Sequence, residues 1–597
     1  MERFHYLDWV AIGVYLLFAM GVGITLTRRA SRSTGDFYLA GRSLPWWVAG
    51  TSLVATSFAA DTPLVVAGWV RSGGISMNWL WWGMAVGGSL SFVVLAGWWR
   101  RLEVTTDAEI IERRYHGRPA RFLRGFYGAY HSMITNTVVL MWVLVAMKKL
   151  VRVVLDVEDQ SMDGWIVGGA LVLALGYSFL SGLWGVVITD LFQFVLALVG
   201  AFLLAWKAIS ALGGFSEAHA AFAELPHHIT TLLPTDADPN TGISPGWTAM
   251  SWWTAGFGSF LIYFGLQGWL NKNADGGGIG VQRYSACKDE NHARGAALWF
   301  HLAHYCLRPW PWILVGLASL ILIDPATLPQ LVGDDGSLTP DHEAAYPMMM
   351  AKYLGPGLFG LLCASFLAAF MSTLDTHFNL ASAYVVNDLY RRFLAPSKGD
   401  RHYVWVGRFA EIGIAIIAGI FATIADSIAG LFTFSLSLLG GLGPAMLLRW
   451  FWWRANTWTE VAALLTSTVM TVLTMTSKLG AESSIIDLPY PVSYIVVVGA
   501  SLLVCLIVTM LTPPVNREHL AFFYAKVLPV GAWKPFGTNP SGQVAAILAG
   551  WGGGIALIYG LLFGIGGLLL GDSFVLPFCC ALLGAVVLRW SWPHTAV

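Results

Sequence analysis

Long apolar runs separated by short polar loops recur along the whole chain. An α-helix needs about 20 apolar residues to cross a bilayer, and most of the runs reach that length. The pattern predicts fifteen membrane spans. The number is fourteen if either of two short breaks, at 181–183 or at Asp426, lies within a single span. The predicted spans cover residues 7–27, 45–70, 77–99, 124–151, 164–181, 184–211, 247–272, 296–323, 355–390, 404–424, 427–448, 455–477, 492–512, 543–570 and 573–590.

The charges in the loops alternate in sign from one loop to the next. The basic loops are 28–42, 100–121 and 391–401, and the acidic loops are 156–163, 217–238 and 334–343. Because Lys and Arg in short loops favour the cytoplasmic side, the N-terminus is predicted outside the cell membrane and the C-terminus in the cytoplasm. The first span has no basic leader and no small-residue cleavage site, so we expect it to be retained.

The order of the spans indicates an internal duplication. Two sets of five spans, 45–211 and 247–448, are joined by an outer loop at 212–246 and flanked by residues 1–44 and 449–597. Because five is an odd number, the second set has inverted topology relative to the first. Inverted repeats of this kind are typical of secondary transporters. The sequence therefore predicts an all-α polytopic membrane protein with inverted five-helix repeats and extra spans at both ends.

The first span of each repeat contains residues that interrupt a helix. Asp61 and Pro63 lie near the middle of the second span, and Gly256 and Gly258 lie at the matching place in the seventh. Backbone without helical hydrogen bonds is tolerated at that depth only where it lines a cavity or is buried in protein. Tight helix packing is the alternative explanation for the two glycines. The matched positions favour a binding site between the repeats.

Composition narrows the class of protein. Of 597 residues, 56% are hydrophobic and 12% are charged, with Lys+Arg and Asp+Glu equal at 35 each. A lipid bilayer is therefore the expected surrounding, and nucleic acid is not an expected partner. No loop is long enough for a catalytic domain, and His301 and His304 do not have metal-site spacing, so an enzyme is not expected. No obligatory protein partner is evident.

Polar side chains inside the spans are candidates for binding a cation. Residues 369, 372, 373 and 376 share one helical face in span nine, and Asp375 lies beside them. Hydroxyl and carbonyl oxygens suit a hard cation such as Na⁺. A single hydroxyl more often bonds to its own helix or to a neighbour. Asp190 in span six marks an ion or substrate path, with a structural ion pair or helix cap as the alternative.

Four short motifs resemble those of the sodium:solute symporter family, which includes the sodium–glucose, sodium–proline and sialic-acid cotransporters. The motifs are Gly41–Trp47 before span two, Thr189-Asp190 in span six, Gln282-Arg283 after span seven and Met371–Asp375 in span nine. The resemblance covers roughly residues 7–512. It implies the leucine-transporter-type fold, with spans two to eleven as the ten-helix core.

The resemblance also implies Na⁺ as the coupled ion, with one main site and a possible second site. The main site would combine the backbone carbonyls of Ala55, Phe58 and Ala369 with the hydroxyls of Ser372 and Thr373. The second site would comprise Asp190, Ser372, Asp375 and Thr376. Asp375 stands where several characterised members carry a small or hydroxyl residue. It is a ligand, a proton carrier or a helix-surface charge.

The solute is expected beside the two helix breaks. The candidate contacts are Ser57, Asp61, Thr62, Asn78, Gln267 and Arg308. Arg308 lies near mid-membrane, where it would either pair with a carboxylate such as Asp61 or Asp375 or bind a substrate carboxylate. The glycine-rich segment 273–280 is interpreted as a flexible inner gate, and Trp79, Trp81 and Trp82 as part of an outer vestibule.

These features together predict a Na⁺-coupled secondary active symporter that imports a small polar solute. The 29 tryptophans slightly favour a sugar or sugar acid, because aromatic faces pack against sugar rings. One alternative is proton coupling with Asp375 or Asp190 as the carrier. Others are Na⁺ symport of an amino acid or another carboxylate, and a membrane sensor built on a transporter scaffold.

Overall fold

The computed structural model describes most of the chain. The described residues are 4–30, 38–57, 59–157, 159–234, 256–271, 274–332, 338–425, 428–475, 485–486, 488, 490–538 and 542–595. Almost all of the regular structure is helical, as the apolar runs predict. Two short strands, β1 (Gln330–Val332) and β2 (Leu338–Pro340), pair antiparallel in a loop between predicted spans.

The helices of the first half follow the predicted spans closely. They are α1 (Tyr6–Ala30), α2 (Trp46–Thr56), α3 (Asp61–Gly73), α4 (Ile75–Leu102), α5 (Glu109–Arg114), α6 (Gly117–Tyr130 and Asn136–Leu155, joined by a π-helical turn at His131–Thr135), α7 (Asp163–Ala211), α8 (Phe215–Ala223) and α9 (His227–Thr230). Helix α7 contains both predicted spans between 164 and 211.

The helices of the second half continue the numbering. They are α10 (Gly256–Ile262, extended by a π-helical turn at Tyr263–Gln267), α11 (Ile279–Ala286), α12 (Glu290–Leu322), α13 (Ala345–Tyr353), α14 (Leu358–Leu394), α15 (Asp400–Ile424), α16 (Ile428–Gly440), α17 (Gly443–Phe451), α18 (Thr457–Met475), α19 (Tyr490–Leu511), α20 (Arg517–Val527), α21 (Gln543–Leu570) and α22 (Val575–Thr595). Short 3₁₀ turns cover Ala40–Arg42, Gln160–Met162, Pro325–Thr327 and His342–Ala344.

Within the described residues, nine helices are long and apolar enough to cross a membrane. Helices α2 and α3 form a tenth, because together they pass the same test and are bent by 60° at their break. The predicted spans at 7–27, 124–151 and 455–477 coincide with helices α1, α6 and α18. The predicted span at 247–272 lies partly outside the described residues.

The broken second span lies at the centre of the helix bundle. Helix α2 packs between α7, α12 and α14, while α3 packs against α12 and α6. The backbone of Leu44, just before α2, exchanges hydrogen bonds of 3.0 Å with Ala286 and Lys288, just after α11. The start of α2 is therefore joined directly to the end of α11.

Basic residues at the end of α6 are paired with acidic loops. Arg152 lies 2.7 Å from Asp163, and the Lys149 ammonium lies 2.8 Å from Asp341 and 2.6 Å from Glu343. Lys149 is buried, so its charge needs these two carboxylates as partners. The ion pairs fix the ends of the long spans to the loops that surround them.

Candidate functional site

The break between α2 and α3 leaves carbonyl groups that the helix itself cannot satisfy. Helix α2 ends at Thr56, and Phe58, one of the predicted Na⁺ ligands, lies outside the described residues. Arg308 of α12 donates to the carbonyl oxygens of Val54 at 2.8 Å and Ser57 at 2.6 Å. A cation at the C-terminal end of a helix also complements the helix dipole. The buried Arg308 guanidinium therefore caps α2.

The predicted main Na⁺ site lies where α14 meets the end of α2. The Thr373 hydroxyl lies 3.1 Å from the carbonyl oxygen of Thr56 and 3.1 Å from that of Ala369. Ala55, next to Thr56, is buried. The Ala369 carbonyl and the Thr373 hydroxyl are thus adjacent and close to the broken end of α2. Oxygen atoms grouped in this way are the ligands that hard cations prefer.

The predicted second Na⁺ site centres on Asp190 of α7. Ser52 donates to one carboxylate oxygen of Asp190 at 2.5 Å, and Ser372 donates to the other. Helices α2, α7 and α14 therefore meet at one buried carboxylate. We call the group formed by Asp190, Ser52, Ser372, Thr376 and Arg283 the Asp190 cluster.

Arg283 of α11 reaches into the same group of oxygens. Its guanidinium lies 3.7 Å from the Asp190 carboxylate and donates to Thr376 at 2.8 Å, to Ser52 at 3.1 Å and to Thr56 at 3.2 Å. The hydroxyls of Thr56 and Thr376 are themselves 3.1 Å apart. A positive charge of the protein thus lies among the oxygens predicted for the second cation site.

Asp375 completes the predicted set and is fully buried in α14. Ser372 and Thr376, three residues before it and one residue after it, belong to the Asp190 cluster.

A central cavity of about 360 Å³ adjoins the break. That volume is in the range of sites for small organic ligands. Three predicted solute contacts, Ser57, Asp61 and Thr62, line it. Thr56 and Thr373 line it as well, so the cavity wall and the predicted ion ligands share residues.

The other predicted solute contacts are engaged elsewhere. Asn78 donates to the carbonyl of Ile75 at 3.0 Å and accepts from the Trp81 indole at 2.9 Å. Gln267 donates to the carbonyl of Leu80. The described residues that line the cavity do not include Asn78, Gln267 or Arg308. Asn78 and Gln267 instead stabilise the start of α4.

Only part of the predicted aromatic vestibule faces the cavity. Trp81 lines it, whereas Trp79 is buried and stacks on Tyr559 of α21 with ring centroids 5.3 Å apart. Trp82 is also fully buried, and its carbonyl accepts a hydrogen bond of 2.7 Å from Tyr559. The expected vestibule is therefore wrong for Trp79 and Trp82, because both side chains are buried in the helix bundle. Helix packing outside the repeats was not visible in the sequence.

Several polar residues in the cavity wall were missed or given no role. They are Asn136, His301, His304, His377 and Ser435, together with the aromatic residues Trp69, Trp142, Phe300 and Phe432. His304 precedes Arg308 by one helical turn, and His377 follows Thr373 by one turn. Spacing of one turn from a candidate site residue is the signal that would have found them.

The glycine-rich segment forms part of the cavity wall. Gly276, Gly277 and Gly278 line it, and the amide of Gly278 donates to the Asp107 carboxylate at 2.8 Å. Gly276 and Gly278 have positive φ angles of 79° and 66°, a backbone conformation that favours glycine. The segment predicted as an inner gate is held in place by hydrogen bonds.

A second buried carboxylate anchors that segment. Asp275 lies 2.5 Å from the Arg449 guanidinium, accepts from the Trp450 indole at 2.8 Å and accepts from the amide of Gly277 at 3.0 Å. Both charged side chains are fully buried. We call Asp275, Arg449, Trp450 and Gly277 the Asp275 cluster.

A broken central helix, inverted repeats and a central cavity lined by aromatic and polar residues are typical of a secondary transporter. The profile of the sodium:solute symporter family matches residues 37–467. The chain therefore belongs to the sodium:solute symporter family, and it is a Na⁺-coupled membrane transporter and not an enzyme.

Relatives at the level of sequence are sugar and polyol cotransporters. The chain is 24% identical to the sodium/glucose cotransporter of Vibrio parahaemolyticus over 472 residues, covering 76% of this chain and 82% of that protein. It is 28% identical to the sodium/mannose cotransporter of Bos taurus, covering 75% of each. It is 27% identical to the sodium/myo-inositol cotransporter 2 of Rattus norvegicus, covering 75% of this chain and 67% of that one.

Among solved structures, a Na⁺-coupled sialic acid symporter in a substrate-bound outward-open state is similar. The TM-score is 0.64 at 18% sequence identity, covering 86% of this chain and 99% of that chain. This likeness establishes the shared leucine-transporter-type fold. The predicted fold class is therefore confirmed.

Proposed function

We propose that the protein imports a sugar-like polar solute, a sugar or a sugar acid, together with Na⁺. The position of Thr373 is the observation that carries the proposal. Its hydroxyl contacts the carbonyls of Thr56 and Ala369, and the same residue lines the central cavity. An ion bound there would lie directly against the wall that contacts the solute.

Coupling follows from the position of Thr373 between α14 and α2. In the present arrangement the Thr373 hydroxyl donates to carbonyl oxygens. When Na⁺ binds, the hydroxyl turns its lone pairs toward the ion, and the carbonyls become ligands instead of acceptors. The ion then holds α14 against the broken end of α2. Binding to one conformation better than to the other is what links the ion gradient to solute movement.

The Asp190 cluster extends this path. Asp190 of α7 offers a carboxylate, and Ser372 and Thr376 offer hydroxyls one and two turns beyond Ala369 on α14. We propose that Na⁺ leaving the main site passes Asp190, and that Arg283 replaces the ion as the partner of the carboxylate.

The proposed orientation of the protein in the membrane is the one that the loop charges predict, with the N-terminus outside the cell membrane and the C-terminus in the cytoplasm.

Uptake into proteoliposomes tests the proposal. We expect Thr373→Ala to raise the half-saturating Na⁺ concentration by roughly tenfold or more, since it removes an oxygen ligand. Thr373→Ser keeps the oxygen and is expected to behave like the unmodified protein. Thr423→Ala, on the exposed face of α15, is the matched control. Equal Na⁺ dependence in the Thr373→Ala and Thr423→Ala variants would overturn the proposal.

Proton coupling is the second candidate, because Asp375 is a fully buried carboxylate in α14. A buried carboxyl group can bind and release a proton during a conformational cycle. Uptake measured at one fixed pH, with and without Na⁺, separates the two ions. Uptake that persists without Na⁺ and is lost in Asp375→Asn would favour the proton.

A further inference from the structure

Two histidines one turn apart on α12 line the central cavity and have no assigned role. His301 ends a regular helical segment, and His304 lies within the π-helical turn Leu302–Leu307 that follows. Turns of this kind are frequent at functional sites, because the extra residue redirects side chains. Both rings are surrounded by aromatic side chains, with Phe300 stacked 4.8 Å from His304 and Phe92 at 5.3 Å from His301.

The proton of the His304 ring is positioned by Arg308. The Arg308 guanidinium forms a hydrogen bond with Nδ1 of His304, and the same guanidinium is fixed on the carbonyls of Val54 and Ser57. A guanidinium has only donors, so Nδ1 must accept. A proton on Nδ1 would face the N–H groups of Arg308. The neutral ring therefore carries its proton on Nε2, and His304 is a hydrogen-bond donor at Nε2.

The proton of the His301 ring is positioned in the opposite way. Nδ1 of His301 lies 2.7 Å from the carbonyl oxygen of Ala297. A carbonyl only accepts, so Nδ1 carries the proton and Nε2 of the neutral ring is an acceptor. That nitrogen lies against Gly88 of α4, where an added Cβ would come within 2.3 Å of it. Gly88 also lines the cavity.

We propose that His301 and His304 form a donor–acceptor pair that recognises hydroxyl groups of a neutral polyhydroxylated solute. A hydroxyl both donates and accepts, so adjacent hydroxyls satisfy both rings, whereas a carboxylate only accepts. Asp61 adds a carboxyl group to the same cavity. Among the described lining residues there is no Lys or Arg to balance a solute carboxylate. The site therefore selects a neutral sugar or polyol over a sugar acid.

That the bound solute is also transported rests on the proposed function. The test measures equilibrium binding of solutes to the purified full chain in Na⁺ and in K⁺. The neutral solutes are D-glucose, D-mannose and myo-inositol, and the carboxylates compared with them are D-gluconate and sialic acid. The variants are His304→Phe, His304→Gln and His301→Leu. The control is His402→Phe, which removes an exposed ring bonded to Tyr390.

We expect the neutral solutes to bind and the two carboxylates to bind at least tenfold more weakly. His304→Phe and His301→Leu should each weaken binding of the neutral solute by about ten- to a hundredfold. His304→Gln keeps a terminal N–H near the position of Nε2 and should recover most of the loss. ¹⁵N chemical shifts of labelled histidine should assign the ring proton to Nε2 in His304 and to Nδ1 in His301, whether or not solute is bound.

Different results separate the two claims. Na⁺-dependent binding of a carboxylate without binding of neutral solutes would overturn the hydroxyl pair and leave Na⁺ symport standing. Binding of neutral solutes that is the same in Na⁺ and K⁺ would overturn the proposed coupling and leave the pair standing. The opposite ring protonation in either histidine, or unchanged binding in both His304→Phe and His301→Leu, would also overturn the pair.

Discussion

Two buried aspartate–arginine pairs in this protein have different surroundings. Asp275 lies 2.5 Å from Arg449, and the Trp450 indole and the Gly277 amide donate to it as well. Asp190 lies 3.7 Å from Arg283, and its two oxygens accept from the hydroxyls of Ser52 and Ser372. All four charged side chains are fully buried.

The difference lies in what the partner groups can do. Guanidinium, indole and amide N–H groups only donate, so none of those around Asp275 can serve as a ligand to a cation. Hydroxyls also accept, and their oxygens can turn toward a cation without movement of the helices. Asp275 is therefore suited to hold the glycine-rich segment in one fixed position. Asp190 is suited to exchange its arginine for an ion.

The largest effect is expected from breaking the Asp275 pair. Arg449→Met removes the cation that lies 2.5 Å from Asp275 and 3.6 Å from the buried Glu460, and it should cost about 3–5 kcal/mol of stability. Thermal denaturation in detergent, followed by size-exclusion chromatography, measures the loss. The double variant Asp275→Leu with Arg449→Met removes both charges of the Asp275 pair and should recover part of the loss, since Glu460 still lacks Arg449. A double variant less stable than Arg449→Met alone would contradict the pairing.

The next largest effect is expected at Asp190. Asp190→Asn removes the negative charge but keeps an oxygen for one of the two serine hydroxyls. We expect the half-saturating Na⁺ concentration for uptake to rise at least tenfold, while the protein remains folded. Asp289→Asn, at the exposed start of α12, is a matched control. Unaltered Na⁺ dependence in Asp190→Asn would place the ion path elsewhere.

A change of opposite sign is expected at Arg283. Arg283→Gln removes the internal cation that lies among the oxygens of the Asp190 cluster, so Na⁺ should bind several-fold more tightly. The reason is that a buried carboxylate without a partner favours any cation that can reach it. Thermal shifts measured at increasing Na⁺ should show a larger stabilisation than in the unmodified protein. A smaller Na⁺ shift would mean that Arg283 helps to hold the ion.

The smallest effect is expected at the cap of α2. Arg308→Lys keeps the charge but cannot hold both carbonyls in the fixed geometry of a guanidinium. The guanidinium makes three hydrogen bonds, to the two carbonyls and to Nδ1 of His304, and the loss of one of them should cost about 1 kcal/mol of stability. Chemical denaturation in detergent measures it. Stability unchanged within error would indicate that the two carbonyls do not need the second donor.

Much of the fold was visible in the sequence, because crossing a bilayer requires long apolar helices. The inverted repeats followed from the span count, and the break in the second span followed from Asp61 and Pro63. The grouping of Ser372 with Asp190 followed from the resemblance to the family. These features depend on local pattern or on shared motifs.

Features that depend on long-range contacts were not visible. The role of Arg308 depends on which carbonyls lie opposite it, and α2 is about 250 residues away along the chain. The pairing of Asp275 with Arg449 joins residues 174 positions apart. Which ring nitrogen of His301 and of His304 carries the proton depends on the partner of each Nδ1 atom, which the sequence does not reveal.

Direct binding of radioactive ²²Na⁺ to the purified protein tests the central claim most directly. The claim is that the hydroxyls of α14 hold the coupled ion beside the central cavity. The double variant Ser372→Ala with Thr373→Ala should lose saturable ²²Na⁺ binding while it keeps its fold, and the Thr423→Ala control should keep binding. Saturable ²²Na⁺ binding of unchanged affinity in the folded double variant would contradict the claim.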